Sequence, residues 1–357
     1  MATRKQEQFS VSSSNSSYKV ILSDDIKLLE INLYECNFFI VDSYFQNSLA
    51  LEKIEREKIF FVDANEDSKT LLFSEKIIQQ MTSLQITRNC TLAVVGGGVI
   101  QDIGGFVASI YMRGINYKLY PTTYLSMVDS CIGGKTSINT KTAKNLLGTF
   151  YPPKEVFCYS NFCKTLNDDQ INQGLIEALK ITYAYKNFFN EALSLIKVGA
   201  KLNLFEISRL SLYSKKAIIQ EDEFDLGQRR LLNLGHTFGH SIEKATNHYI
   251  EHGYAVGIGI LIARSFSLSE KLIKKQHNIT ELCALIKNIT PKRIFDSLNK
   301  MDMGVFFKSL ENDKKHNRSC YRFILPINEH IEEIEFDKTI FNLNDKFTPI
   351  IKNLKHN

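Results

Sequence analysis

The chain has no C-x-x-C pair, no block of lysine and arginine, no internal repeat and no apolar run beyond the ten residues from Tyr254 to Ala263. Each absence narrows the field. The seven cysteines (Cys36, Cys90, Cys131, Cys158, Cys163, Cys283, Cys320) are odd in number and scattered over 357 residues, which argues against a disulfide framework and predicts reduced thiols. Ten apolar residues stopping at Arg264 are half a membrane span, so no transmembrane helix is expected. Lys+Arg total 44 against 39 Asp+Glu, a net charge of only +5, which gives no reason to expect nucleic acid or a membrane surface as a partner. The opening residues MATRKQEQFSVSSSNSSYKV hold no apolar core segment, so a secretory signal is not expected and a cytoplasmic location is. What is present is an ordinary globular balance, 44% apolar and 23% charged, which excludes disordered and fibrous classes.

The length suits about two domains. In the first half, short runs rich in β-branched and aromatic residues (Asn37–Val41, Ile59–Val62, Leu92–Val95, Tyr117–Tyr120 and Glu155–Tyr159) alternate with amphipathic stretches such as Ser68–Thr82. Buried strands alternating with helices predict βαβ units and a mainly parallel sheet. From Leu166 onward apolar residues recur at spacings of three and four, through Asp169–Tyr185, Phe189–Ile196, Ile207–Gln220, Thr237–Tyr249 and Ala255–Lys271, and this half reads as helical. Tyr321–Pro326 reads as a lone strand. The expected organisation is therefore an α/β domain over residues 1–166, Rossmann-like, and a mostly α-helical domain over 167–357.

Three segments carry possible chemistry. VVGGGVIQDIGGF follows a strand and opens a helix; Gly96 and Gly98 fit G-x-G, but Gln101 stands at the third glycine position, so the strict dinucleotide fingerprint fails. Three glycines at a strand–helix turn still allow backbone N–H groups to approach a phosphate, or they form a tight turn with no ligand. GGKT at Gly133–Thr136 lacks the first glycine of a P-loop, because position 129 is Asp129, although Lys135 beside a glycine pair can hold a single phosphate. LNLGHTFGHSIE sets His236 and His240 four residues apart on one helical face, with His252 following in HGYAV. That spacing suits zinc, or simply hydrogen-bonded histidines; the flanking Gly235, Gly239 and Gly253 suggest close approach of something to the backbone. Glu177 in GLIEALK offers a carboxylate, or an ordinary ion pair with Lys180 one turn on.

Taken in order, GGGVIQD, YMRG, PTT, VDSCIGGKTSIN, AKNLLGTFYPP, GLIEALK, DEFDLGQRRLLNLGHTFGHSIE, HGYAV and DKK resemble the 3-dehydroquinate synthase family of sugar-phosphate cyclases, from about Phe39 to Pro326. The resemblance implies a zinc-type divalent metal, Zn2+ or Co2+, held by Glu177, His236 and His252. It implies NAD across Gly97, Gly98 and Asp102, with Asp42, Glu66, Lys69, Thr122, Thr123, Lys144 and Thr165 lining its site. Lys135, Asn145 and Lys314 or Lys315 would take the substrate phosphate, and Arg113 would reach that phosphate in the neighbouring subunit of a homodimer. Lys215 and Arg229 would face a substrate carboxylate, Asp129, Lys180 and Asn233 would hold ring hydroxyls, and His240 and Asp225, with Lys180, would form the catalytic set that moves protons.

The chain departs from the family pattern at Gln101, at Asp225 where Glu is usual, and at Tyr254 where Glu is usual after the HG pair. The implied activity converts 3-deoxy-D-arabino-heptulosonate 7-phosphate to 3-dehydroquinate and phosphate. The alternatives are a cyclase giving an inosose- or valiolone-type cyclitol, a metal- and NAD-dependent polyol dehydrogenase, or a non-catalytic binding protein. Retention of both Lys215 and Arg229 argues for a carboxylate substrate, because two unpaired buried cations would be costly.

Overall fold

The computed structural model describes residues 5–355 apart from 15, 49–50, 142, 186–187, 198–201, 275–277 and 329. In chain order the strands are β1 (Gln6–Val11), β2 (Tyr18–Ser23), β3 (Phe38–Asp42), β4 (Ile59–Val62), β5 (Thr91–Gly96), β6 (Asn116–Pro121), β7 (Glu155–Tyr159), β8 (Cys320–Ile327) and β9 (His330–Asp337). The helices are α1 (Ile26–Tyr34), α2 (Leu71–Ser83), α3 (Gly98–Ile110), α4 (Asp168–Tyr185), α5 (Phe189–Lys197), α6 (Leu204–Glu221), α7 (His236–Ala245), α8 (His252–Ser269), α9 (Ile279–Ile289), α10 (Lys292–Ser297), α11 (Met303–Glu311) and α12 (Leu343–Lys355). They form two compact units, Met1–Ile171 with Gly199–Phe224, and Asn172–Val198 with Asp225–Asn357.

The first unit is built on a seven-stranded sheet of order β1-β2-β7-β6-β5-β3-β4, parallel throughout except for the β1–β2 pair. All six residues of β5 are buried, as expected of a central parallel strand covered on both faces. On one face Phe39, Val41, Ala93, Val95, Tyr120 and Phe157 pack against Leu29 and Leu33 of α1. On the other, α3 lies so close to β5 that a Cβ at Gly104 would stand 2.5 Å from Val94. The chain runs from β3 to the edge strand β4, then crosses back to β5 on the far side of β3. That reversal opens a crevice at the carboxyl ends of β3 and β5, where parallel sheets bind ligands.

Helix periodicity alone groups α6 with the helical half. In the fold it belongs to the first unit, because its buried face meets the single π-helical turn Ser126–Ser130. Ser211 Oγ donates to Val128 O at 2.9 Å, and Lys215 Nζ pairs with Asp129 Oδ1 at 2.8 Å.

The second unit is helical with one antiparallel hairpin, β8–β9. The run expected as a lone strand therefore has a partner, whose sequence HIEEIEFD hides it behind four acidic residues. Phe323 of β8 stacks on Phe238 of α7 with ring centroids 5.3 Å apart, and Phe347 of α12 meets Phe266 of α8 at 5.0 Å. These rings anchor α7 and α8 against the hairpin and α12. Among the described residues, no helix is long and apolar enough to cross a membrane.

Candidate functional site

In the second unit, Glu177, His236 and His252 come together from three helices, and glycines explain how. Gly235 ends the loop before α7 with φ +80, and a Cβ there would lie 2.6 Å from the Val256 carbonyl of α8. Gly259 of α8 faces the Gly235 carbonyl with no room for a side chain, so the two helix backbones nearly touch. On the other side of α8, a Cβ at Gly253 would meet Gln173 Cβ at 2.5 Å, and Gly253 N donates to Gln173 Oε1 at 3.2 Å. The close approach that these glycines permit is thus helix on helix rather than ligand on backbone. It places Glu177, one turn beyond Gln173, opposite His236 and His252, each the first residue of its helix.

His236 Nε2 lies 3.8 Å and His252 Nε2 3.7 Å from Glu177 Oε1. Three ligands on a tetrahedral ion with bonds of about 2.1 Å stand about 3.4 Å apart, so each of these two spacings needs to contract by only a few tenths of an ångström, and all three ligand atoms lie within 4.8 Å of one another. The other ring nitrogens are already engaged: His236 Nδ1 lies 3.4 Å from Leu234 O, and His252 Nδ1 lies 3.3 Å from Glu243 Oε2. The Glu177 carboxylate is fully buried; its Oε2 is ion-paired with the Lys180 ammonium, while its Oε1 has no hydrogen-bond donor among the described residues. An orphaned carboxylate oxygen facing two imidazole nitrogens fits a divalent cation.

The electrostatics agree. Burial, reinforced by Lys180, drives His236 well below the usual histidine range and keeps its ring neutral at neutral pH. His240 is lowered to about 4 by desolvation and then by the Lys315 ammonium. His252 is raised, because the hydrogen bond and charge of Glu243 and the charge of Glu177 outweigh the opposing desolvation. Glu243 was not singled out from sequence, although it lies three residues after His240 and seven after His236, on their face of α7. Its contact with His252 is of the kind by which a carboxylate orients a histidine for a metal. Tyr254 is wholly buried, and with Tyr in place of the family's usual Glu, His252 still has an orienting partner in Glu243.

Of the DKK lysines, Lys314 is exposed, whereas Lys315 turns inward with Nζ 3.2 Å from Thr237 Oγ1 and 3.8 Å from Asp313 Oδ2. Arg229 is buried, and Asn233 Nδ2 donates to Arg230 O at 3.0 Å. Asp225 holds a left-handed backbone at φ +61.

In the first unit, the glycine turn lies at the carboxyl end of β5, and no side chain caps α3. A Cβ at Gly97 would meet Thr123 Cγ2 at 2.9 Å, but one at Gly98 would meet nothing nearer than Ser130 Oγ at 3.9 Å. Packing therefore does not require glycine at 98; an open cradle at an uncapped helix N-terminus fits a pyrophosphate. Gln101 folds inward, its Oε1 accepting from Ser130 Oγ at 2.7 Å. Lys69 Nζ reaches both Asp102 Oδ2 and Asn145 Oδ1 at 2.7 Å, and Ser137 Oγ bridges the same two groups. Burial raises the Asp102 carboxyl against the pull of Lys69. Glu66 Oε2 accepts from Asn139 Nδ2 at 2.8 Å. Residues expected on NAD (Glu66, Lys69, Asp102) and on phosphate (Asn145) thus share one neighbourhood.

The remaining expected residues of this unit are more dispersed. Asp42 ends β3 and accepts from Tyr44 N, with its carboxyl raised by burial. Thr122 is buried with its N–H on Gly96 O at 3.2 Å, Thr123 Oγ1 donates to Ser126 Oγ, and Thr165 Oγ1 donates to Phe162 O. Lys144 and Lys135 are exposed, Lys135 Nζ standing 5.9 Å from the Phe150 ring. Arg113 is exposed at φ +63 directly after Met112 at φ +49. Lys215 is not an unpaired cation: it bonds both the carboxylate and the carbonyl of Asp129, at 2.8 and 2.6 Å. The inference of a carboxylate substrate from two unpaired cations therefore fails for Lys215.

Comparison with known proteins extends the geometry. Residues 59–173 match the family model for the 3-dehydroquinate synthase N-terminal region, and residues 174–316 match that for the C-terminal region. A 3-dehydroquinate synthase of Campylobacter jejuni is 35% identical over 332 residues, covering 89% of this chain and 92% of its own. A 2-deoxy-scyllo-inosose synthase, solved with carbaglucose-6-phosphate, NAD+ and Co2+, superposes with a TM-score of 0.80 at 21% identity, over 98% of this chain and all of that one. A 2-epi-5-epi-valiolone synthase from Streptomyces hygroscopicus, with NAD+ and Zn2+ bound, gives 0.77 at 20% identity over 97% and 98%. The two structures share the fold of this chain.

Proposed function

Because the chain belongs to the 3-dehydroquinate synthase family, we propose that it converts 3-deoxy-D-arabino-heptulosonate 7-phosphate to 3-dehydroquinate and phosphate as a cytoplasmic homodimer using NAD and zinc or cobalt. The observation that carries this reading is Oε1 of the fully buried Glu177, which has no hydrogen-bond donor among the described residues and is faced by Nε2 of His236 and His252. Glu177, His236 and His252 would hold the metal, which supplies a Lewis acid for a substrate hydroxyl and ketone. Gly97, Gly98, Asp42, Glu66, Lys69, Asp102, Thr122, Thr123, Lys144 and Thr165 would hold NAD, which supplies reversible hydride acceptance and thereby acidifies the neighbouring C–H.

The rest is the work of this chain's side chains. Lys180, ion-paired with Glu177, directs its ammonium to a ring hydroxyl, a task shared with Asp129 and Asn233. His240, neutral above a pKa of about 4, can accept a proton on a ring nitrogen at neutral pH, and Lys315 beside it supplies positive charge for the phosphate. Lys135, Asn145 and Arg113 of the neighbouring subunit complete the phosphate's partners. Arg229 faces the carboxylate, together with Lys215 once its pairing to Asp129 is shared. Asp225, one methylene shorter than Glu, accepts a proton through a water.

The test is a product assay by NMR with the keto acid phosphate, NAD and zinc, set against sedoheptulose 7-phosphate and glucose 6-phosphate. The expected result is phosphate release from the keto acid phosphate with no net NADH. Faster release from either sugar would make the enzyme a cyclitol-forming cyclase, and stoichiometric NADH would make it a dehydrogenase. Chelation should abolish turnover, and zinc or cobalt should restore it.

A further inference from the structure

The second unit contains a cavity of about 300 Å³ lined by residues of α8, α9 and α12, at the small end of the range for organic ligands. It is distinct from the metal cluster: Arg264 on its wall lies twelve residues beyond His252 on α8, about 18 Å along the axis. Pro349 also lines it, inside α12, where its ring nitrogen cannot donate a helical hydrogen bond. The walls combine apolar Leu261, Ile350 and Leu354 with two cations, Arg264 and Lys287, and include no carboxylate.

Among the described residues, no carboxylate pairs with either cation. Arg264 Nη2 donates to Thr280 Oγ1 at 3.2 Å, while its Nε is buried without an acceptor. The one other candidate anion on the wall is Cys283, whose thiol burial pushes up to about 12 despite Arg264 and Lys287, so it stays protonated. A guanidinium that spends one of five donors in a partly apolar cavity is a site for a forked acceptor. We propose that this cavity binds a small organic carboxylate with an apolar body, its carboxylate on Arg264, with Lys287 at the rim and its body against Leu261, Ile350 and Leu354. This site stands independently of the catalytic reading.

The sequence contains no tryptophan, so Ser269→Trp at the exposed rim places a single fluorophore in the full-length protein. Benzoate should change its emission saturably, and benzamide, which is isosteric and uncharged, should not. Arg264→Gln in that background should weaken benzoate at least tenfold. Ser265→Leu, which fills the cavity without touching Arg264, should do the same and covers the case in which Arg264→Gln does not fold. No saturable response to benzoate, equal binding of benzamide, or an unchanged dissociation constant in both variants would overturn the proposal. So would inorganic phosphate competing as well as benzoate, which would mark a bare anion site.

Discussion

Gly253→Ala probes the packing on which metal ligation stands. The added methyl would lie 2.5 Å from Gln173 Cβ and 2.7 Å from Gln173 Cα. Carbon atoms pack at about 3.5–4.0 Å, so relief requires a separation of about 1 Å between α4 and α8, since backbone cannot swing aside. Glu177 lies one turn beyond Gln173, and His252 immediately precedes Gly253. The 3.7 Å spacing from Glu177 Oε1 to His252 Nε2 therefore absorbs most of that movement. Metal–ligand distances tolerate about 0.2 Å. The overpacking itself should cost about 1–3 kcal/mol of stability, whereas zinc affinity should fall at least 100-fold (about 2.7 kcal/mol), and turnover with it, because a displacement of about 1 Å at a reacting centre costs about that factor. Competition against a chromophoric chelator measures affinity, and melting of the metal-free protein measures stability. Gly257→Ala is the control: one turn further along α8, its Cβ would meet only side-chain ends, Ile286 Cγ2 at 3.1 Å and Ile176 Cδ1 at 3.2 Å. Wild-type zinc affinity in Gly253→Ala, or an equal loss in Gly257→Ala, would refute the reasoning.

Glu243→Ala removes the partner of His252 Nδ1 and should weaken zinc about 10–100-fold in the same competition assay; unchanged affinity would leave Glu243 a bystander. His240→Ala should lower turnover about 10²–10⁴-fold while zinc stays stoichiometric by elemental analysis, and loss of metal instead would make His240 a ligand. Native protein treated with a disulfide reagent at pH 8 should release fast colour from Cys90 and Cys320 alone. The other five thiols are buried, with Cys36 pushed up to about 11 and Cys163 to about 12 by burial, and should react only after unfolding. More than two fast thiols would contradict the packing around them.

The central strands were legible because a parallel strand covered on both faces is apolar over most of its length, as in TLAVVG of β5 and the FFIV that opens β3. Ile59–Val62 and Glu155–Tyr159 fall where the sequence puts them, residue for residue. The edge strand β1 was not legible: QEQFSV buries only Phe9 and Val11, and its pairing with β2 is fixed by register rather than by composition. β9 was hidden for the same reason: four of its eight residues are acidic, and Ile331 alone is buried. The helical pattern of α6 was plain, but a helix that must bury one face carries no mark of which unit receives it. Ser211 and Lys215 find Val128 and Asp129 more than eighty positions away.

At the candidate site, residue type was more informative than neighbourhood. Histidines at i,i+4 point toward metal chemistry, but that spacing pairs His236 with His240; only the family resemblance named Glu177, His236 and His252 as a set before any geometry. The glycines beside them announce only that something comes close. From sequence the visitor reads as a ligand; in the fold it is Gln173 at Gly253 and the α8 backbone at Gly235. Gly98 is the converse case, a glycine with free space above it, and only the three-dimensional comparison separates the two. The same logic corrects Lys215. A buried lysine in isolation demands an anion, yet Asp129 already supplies one, and a substrate carboxylate must compete with that ion pair. Buried ion pairs resist such competition unless the newcomer brings equal charge and more hydrogen bonds. On the proposed function, a group that reaches Lys215 must displace that ion pair, which a carboxylate can do and a neutral group cannot. Asp129→Asn, which weakens the competing pair while leaving Lys215 in place, should lower KM for the keto acid phosphate more than it lowers KM for sedoheptulose 7-phosphate, and the opposite order would show that Lys215 serves Asp129 rather than substrate.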